Sequence, residues 1–101
     1  MGNFVKVARV GEIPPGTGKA VEVAGHPVAL FNVDGTFHAV DGLCPHQGGP
    51  LGEGFLEGNV VVCPWHFWQF DVVNGHALDL PEAAIRKFPV RVDGDDILVE
   101  V

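Results

Sequence analysis

Short turn-forming groups cut this chain at close intervals: Pro14-Pro15-Gly16, Gly25-His26-Pro27, Asp34-Gly35, Asp41-Gly42, Gly58-Asn59, Asn74-Gly75 and Asp93-Gly94. Glycine, asparagine and aspartate tolerate the positive φ of tight reversals and proline presets a turn, so each group predicts a change of direction. The stretches between them suit strands better than helices. Apolar and polar residues alternate in Lys19-Ala20-Val21-Glu22-Val23, in Val90-Arg91-Val92 and from Ile97 to Val101, as expected for strands with one buried face. Asp34-Gly35 predicts a two-residue hairpin joining Val28–Val33 to Thr36–Val40. The single helix candidate is short, Pro81-Glu82-Ala83-Ala84-Ile85, and a turn serves equally well there. Fourteen glycines, eight prolines and many short strands point to an all-β sandwich or barrel rather than a layered α/β domain.

At 101 residues the chain suits one domain with one hydrophobic core. A hydrophobic content of 47% against 19% charged residues predicts a folded chain rather than a disordered one. The longest apolar runs, Val28 to Phe31 and Val60 to Cys63, fall far short of the ~18 residues of a membrane span. The opening Met-Gly-Asn-Phe-Val-Lys-Val lacks the pattern of a secretory signal, so a cytoplasmic location is expected. Thirteen acidic residues against six scattered basic ones give a formal charge of −7, which disfavours nucleic acid and anionic membranes as partners. That charge either serves solubility or draws in a basic protein partner, and the sequence leaves both open.

Two cysteines are present, and each stands just before a histidine: Cys44-Pro45-His46 and Cys63-Pro64-Trp65-His66. Between the two groups, Gly48 to Gly58 reads as connecting loop. Thiolate and imidazole are the side chains that bind zinc and iron most readily, and two turns facing each other would bring four ligands together. Structural zinc sites use the same residue types but usually pair like ligands a few positions apart, whereas here cysteine and histidine alternate. Alternation lets each loop give one ligand to each of two adjacent metals, with Cys44 and Cys63 on one iron and His46 and His66 on the other. That is the asymmetric ligation of a Rieske [2Fe-2S] centre.

The runs Cys44-Pro-His46-Gln-Gly-Gly-Pro-Leu51 and Cys63-Pro-Trp-His66-Phe-Trp-Gln-Phe-Asp71 resemble the signature of the Rieske family. The resemblance continues through Asn74-Gly75, Leu80-Pro81, similar to the family's proline loop over the cluster, and Phe88-Pro89-Val90-Arg91-Val92. It implies an antiparallel β base with a smaller cluster-binding subdomain, about residues 43–81, inserted between its strands, and the two histidines at the tip. It also implies one [2Fe-2S] cluster and a role as a one-electron carrier, with a reductase and a terminal oxygenase as protein partners. The start of the chain and the first loop are similar to the small subunits of NAD(P)H-dependent nitrite reductases, the alternative role. A structural zinc module that binds another protein is the remaining alternative.

Respiratory members of the family carry a disulfide between the positions of Gly49 and Trp65, so none can form here. They also place serine and tyrosine where this chain has Trp68 and Phe70. Fewer hydroxyl donors to the cluster sulfurs imply a lower reduction potential, as in the ferredoxin-like branch. Phe67 stands where many members have glycine, whereas some aromatic monooxygenase ferredoxins and nitrite reductase small subunits resemble this chain in having a bulky residue followed by tryptophan there. Gly48 and Gly49 suit a tight loop with backbone amides aimed at sulfur. The two tryptophans, Trp65 and Trp68, are expected to shield the cluster from water. His26, His38 and His76 lie outside the paired loops and receive no ligand role. The chain shows no Ser-His-Asp array, phosphate loop or nucleotide fingerprint, which implies an electron carrier without catalysis or a small-molecule substrate of its own.

Overall fold

A computed structural model describes residues 3–44, 48–65, 67–78 and 84–100. The described residues form ten strands: β1 Phe4–Arg9, β2 Gly18–Val23, β3 His26–Val33, β4 Thr36–Asp41, β5 Phe55–Glu57, β6 Val60–Val62, β7 Gln69–Asp71, β8 Lys87–Phe88, β9 Val90–Asp93 and β10 Asp96–Glu100. Two single 3₁₀ turns, Val10–Glu12 and Leu51–Glu53, are the only helical elements among the described residues. The strands form three antiparallel sheets, in the orders β1-β10-β9, β2-β3-β4-β8 and β5-β6-β7. The all-β class expected from the turn spacing is the class observed.

The hairpin at Asp34-Gly35 forms as the sequence predicts, with Val33 paired to Thr36 and positive φ at both loop residues, 51° and 91°. The preceding turn lies one residue earlier than its Gly-His-Pro pattern suggests. Ala24 and Gly25 make it, also with positive φ, and His26 and Pro27 already belong to β3. The predicted helix fares differently at its two ends. Residues 81–83 lie outside the described residues, while Ala84 is extended and pairs with His76. The stretch from Gly48 to Gly58, read as loop, contains β5 and a 3₁₀ turn. A three-residue strand shows no periodicity of its own, and β5 is held by β6, through pairs from Phe55–Val62 to Glu57–Val60.

The run Val28-Ala29-Leu30-Phe31 shows no polar alternation because β3 is buried on both faces. Val28 and Leu30 join a core built with Ala8, Ile13, Val23, Phe37, Ala39, Phe88, Ile97 and Val99. Ala29 and Phe31 point the other way, into a second core with Val40, Leu51, Val61, Phe70, Val72, Ala77, Ile85 and the two cysteines. The period-two geometry of a strand sorts consecutive residues onto opposite faces. β3 and β4 are therefore one wall shared by two cores, and the small sheet β5-β6-β7 packs on its second side. Burial of a large apolar side chain contributes roughly 1.5–3 kcal/mol, so Phe31 and Phe70, both fully buried, are strong anchors of that second core.

Asn32 is the one buried polar side chain among the described residues, and it ties the first core to the hairpin. Its Nδ2 donates to the Ile13 carbonyl at 2.8 Å, and its Oδ1 accepts from the Gly35 N–H at 2.7 Å. Asn32→Ala leaves the Ile13 carbonyl buried without this donor. It should cost about 2 kcal/mol, read as a lower urea midpoint with an unchanged slope.

Candidate metal centre

The first cysteine loop leaves β4 at Asp41. The Gly42 N–H donates to the Pro27 carbonyl, Leu43 bridges to Pro50, and the Leu51 N–H returns to the Gly42 carbonyl. Within that frame the Cys44 N–H donates to the Gly49 carbonyl at 2.8 Å, and the Cys44 carbonyl accepts from the Gly48 N–H at 2.7 Å. The second loop connects β6 to β7 and repeats the pattern. The Cys63 N–H donates to the Trp68 carbonyl at 2.8 Å, and the Cys63 carbonyl accepts from the Phe67 N–H at 3.0 Å. Both loops are the same hydrogen-bonded ring, each opened by its cysteine.

The ring requires a left-handed residue four positions after the cysteine. In the first loop this is Gly48, at φ 77°, and in the second it is Phe67, at φ 63°. Glycine adopts that region freely, whereas a residue with a Cβ is strained there by about 1–2 kcal/mol. The difference noted in the sequence at Phe67 is thus a strained residue in an otherwise identical ring. Its side chain is 68% exposed, so burial in its own chain does little to offset the strain. Phe67→Gly relieves the strain at some cost in unfolded-chain entropy. A net gain of about 0.5–1 kcal/mol, seen as a melting temperature raised by a few degrees, is the expected outcome.

Cys44 and Cys63 are both buried, at 2% and 1% exposure, in the second core. They converge on Gly49. Its carbonyl holds the Cys44 N–H, and a methyl group placed on its α-carbon would lie 2.6 Å from the Cys63 Sγ. The backbone of one loop therefore abuts the sulfur of the other. His46 and His66 fall inside the two rings in sequence and lie outside the described residues, as do Pro45, Gln47 and the Leu80-Pro81 pair.

The turn after β7 is tied down by Asp71. Its Oδ1 accepts from the Val73 N–H at 2.8 Å, its Oδ2 from the Asn59 side chain at 2.8 Å, and its carbonyl from the Gly75 N–H at 2.7 Å. The Ile85 N–H then donates to the Gly75 carbonyl, so the chain returning from residues 79–83 is anchored on this turn. Asp71 ends the second signature run of the sequence, which assigns it no role of its own. Its place directly before a turn containing Asn74-Gly75 was the available signal, since aspartate readily accepts from N–H groups two residues on.

The other histidines stand apart from the rings. His26 on β3 has its Nε2 3.4 Å from Asp41 Oδ1 and its ring edge against Phe88. His38 lies on β4, where burial and then the Lys87 charge, opposed by Asp71, hold its imidazole below the usual pKa and favour the neutral form. His76 is exposed and pairs with Ala84. Neither Leu43–Leu51 nor Cys63–Phe70 contains an aspartate, glutamate, lysine or arginine. The acidic surplus resides outside the two cysteine loops.

Two buried cysteines joined through Gly49, one by its N–H on the Gly49 carbonyl and the other by its sulfur against the Gly49 α-carbon, each open a ring that encloses a histidine in sequence, a donor set suited to an iron–sulfur centre. Comparison with known proteins agrees. A family model described as the Rieske [2Fe-2S] domain matches residues 3–89. The ferredoxin component of a naphthalene 1,2-dioxygenase system from Pseudomonas aeruginosa is 38% identical over 91 residues, spanning 89% of this chain and 88% of that protein. The solved complex of reduced oxygenase and oxidized ferredoxin in carbazole 1,9a-dioxygenase contains a chain with a TM-score of 0.88 and 30% identity, covering 96% of this chain and 92% of its own. A Mycobacterium tuberculosis protein described as an NADH-dependent nitrite reductase small subunit superposes with a TM-score of 0.91 at 28% identity, over 100% of this chain and 96% of its own.

Proposed function

Since the chain belongs to the Rieske [2Fe-2S] domain family, we propose that it is a ferredoxin that takes one electron from a reductase and delivers it to a terminal oxygenase. The observation that carries this reading is the pair of matching rings converging on Gly49, supported by relatives that are ferredoxin components of oxygenase systems. Cys44 and Cys63 would hold one iron and His46 and His66 the other. When bound, the cluster supplies a one-electron iron couple.

The chain's own residues do the rest. The two cysteines bring their thiolates to the cluster from the buried side. Leu51, Val61 and Phe70, with Trp68 packed against them, keep water from that side. The histidines, on the opposite iron, give the electron its way out to a partner. We read residues 1–101 as one domain in which about 43–81 form the cluster-binding part. The protein has no catalytic residues and no small-molecule substrate, and it works in the cytoplasm. No helix among the described residues is long and apolar enough to cross a membrane.

Iron and acid-labile sulfide analysis tests the reading, with two of each expected per chain and a red-brown protein. One zinc, no iron and no colour would replace it with the structural zinc module. The second reading, a small subunit of an NAD(P)H nitrite reductase, draws on the superposition over the whole chain. Stable co-purification with a large flavin or sirohaem subunit would favour it over a freely diffusing carrier.

A further inference from the structure

We propose that Trp65 is a positioning residue, a clasp that holds the two cysteine loops together by gripping the bare α-carbon of Gly49. A methyl group built on Gly49 would stand 3.2 Å from Trp65 Cγ and 3.3 Å from its Cβ, and 2.6 Å from Cys63 Sγ. Gly49 belongs to the first loop, whereas Trp65 and Cys63 belong to the second. Two side chains of one loop thus close on a single α-carbon of the other, and only a residue without a side chain fits between them.

The grip reaches both cysteines. Cys63 supplies one jaw directly, while Cys44 is fixed to Gly49 through its N–H and the Gly49 carbonyl. Displacing Gly49 therefore changes the separation of the two thiols. The indole is 55% exposed, so most of its outer surface adds little to the core. What it contributes is the root of the side chain, Cβ and the first ring carbon Cγ, laid on the glycine. The contact spans the two loops with no covalent bond between them, and its strength lies in shape alone.

This inference rests on the proposed iron–sulfur reading, and its test is arranged to fail separately from it. Iron release to a chelator is followed by the decay of visible absorbance in the purified holoprotein, and the g-values of the reduced protein are recorded alongside. Trp65→Ala should release iron roughly 10-fold faster and shift or broaden the g-values, the scale seen when a residue supporting metal ligands is removed. Trp65→Phe keeps that root and should stay within about twofold of the native rate on the same scale. Gly49→Ala should reproduce the Trp65→Ala spectrum with the tryptophan intact, because its methyl group forces Cys63 Sγ and the indole apart.

Native release and native g-values in Trp65→Ala would overturn the clasp, as would Trp65→Phe proving as defective as Trp65→Ala. Should Trp65→Ala not load iron, Trp65→Phe and Trp65→Val decide the matter. Slower release from the phenylalanine variant supports the clasp, and equal rates overturn it. A native protein without iron would instead end the underlying reading.

Discussion

Cys44→Ser and His66→Ala are expected to yield colourless protein, each losing the whole visible absorption of the native chain, while His26→Ala, His38→Ala and His76→Ala are expected to keep it. The effect is expected to be all or none because, in the proposed ligation, each loop gives one ligand to each iron, and three ligands would leave one iron with a single protein donor. Serine at position 44 keeps the volume and the ring hydrogen bond of the Cys44 N–H, so the fold persists while the soft sulfur donor is gone. The three control histidines are separated from the rings by their own surroundings: Asp41 and Phe88 for His26, Lys87 and Asp71 for His38, and the bridge to Ala84 for His76. Absorbance and iron content of the five variants check the assignment. A colourless His38→Ala would show that a ligand had been misplaced.

The reduction potential is the second large effect. It is expected near −150 mV, the low end of the Rieske range, rather than near +300 mV. Added electron density on the cluster is stabilised by hydrogen bonds to its sulfurs, and Trp68 and Phe70 offer no hydroxyl where other branches do. Phe70 is fully buried in the core that contains both cysteines, with the Trp68 ring tilted against it at 6.3 Å. Trp68→Ser and Phe70→Tyr place a hydroxyl there. A preference of about 1–2 kcal/mol for the reduced state raises the potential by roughly 40–90 mV for one electron. Removing the indole also admits water, which raises the potential by itself, so the serine variant is measured against Trp68→Ala and the tyrosine variant against the native protein. Voltammetry giving a native value near +300 mV, or no rise from either hydroxyl in these pairs, contradicts this account of the tuning.

How far these features could be read beforehand depended on whether the deciding contacts were local. Asp34-Gly35 specifies its own hairpin, and two cysteines each ahead of a histidine announce a metal site wherever they lie. The three-residue strands β5, β6 and β7 carry no such internal signal. They exist because Leu56 pairs with Val61 and Val61 with Phe70, contacts between segments rather than within them. The unbroken apolar run of β3 marked burial without saying that two different cores lay on either side. At Phe67 the sequence showed a missing glycine, and the matching ring at Gly48 shows what that glycine would have relieved. The disulfide that respiratory members carry at the positions of Gly49 and Trp65 already implied that these two residues are neighbours, whereas the contact of Gly49 with the Cys63 sulfur follows only from how the loops pack.

The wall formed by β3 and β4 has a consequence for how the molecule opens. Val28 and Leu30 serve one core and Ala29 and Phe31 the other, so no motion exposes the amides of this strand without dismantling both. These amides should exchange with solvent only through global unfolding. The short strands β5 to β7, paired over three residues each, are expected to open at lower free energy. The molecule is thus a stable half and a yielding half joined along one strand. Amide exchange of the apoprotein should therefore be faster in β5 to β7 than in β3 and β4.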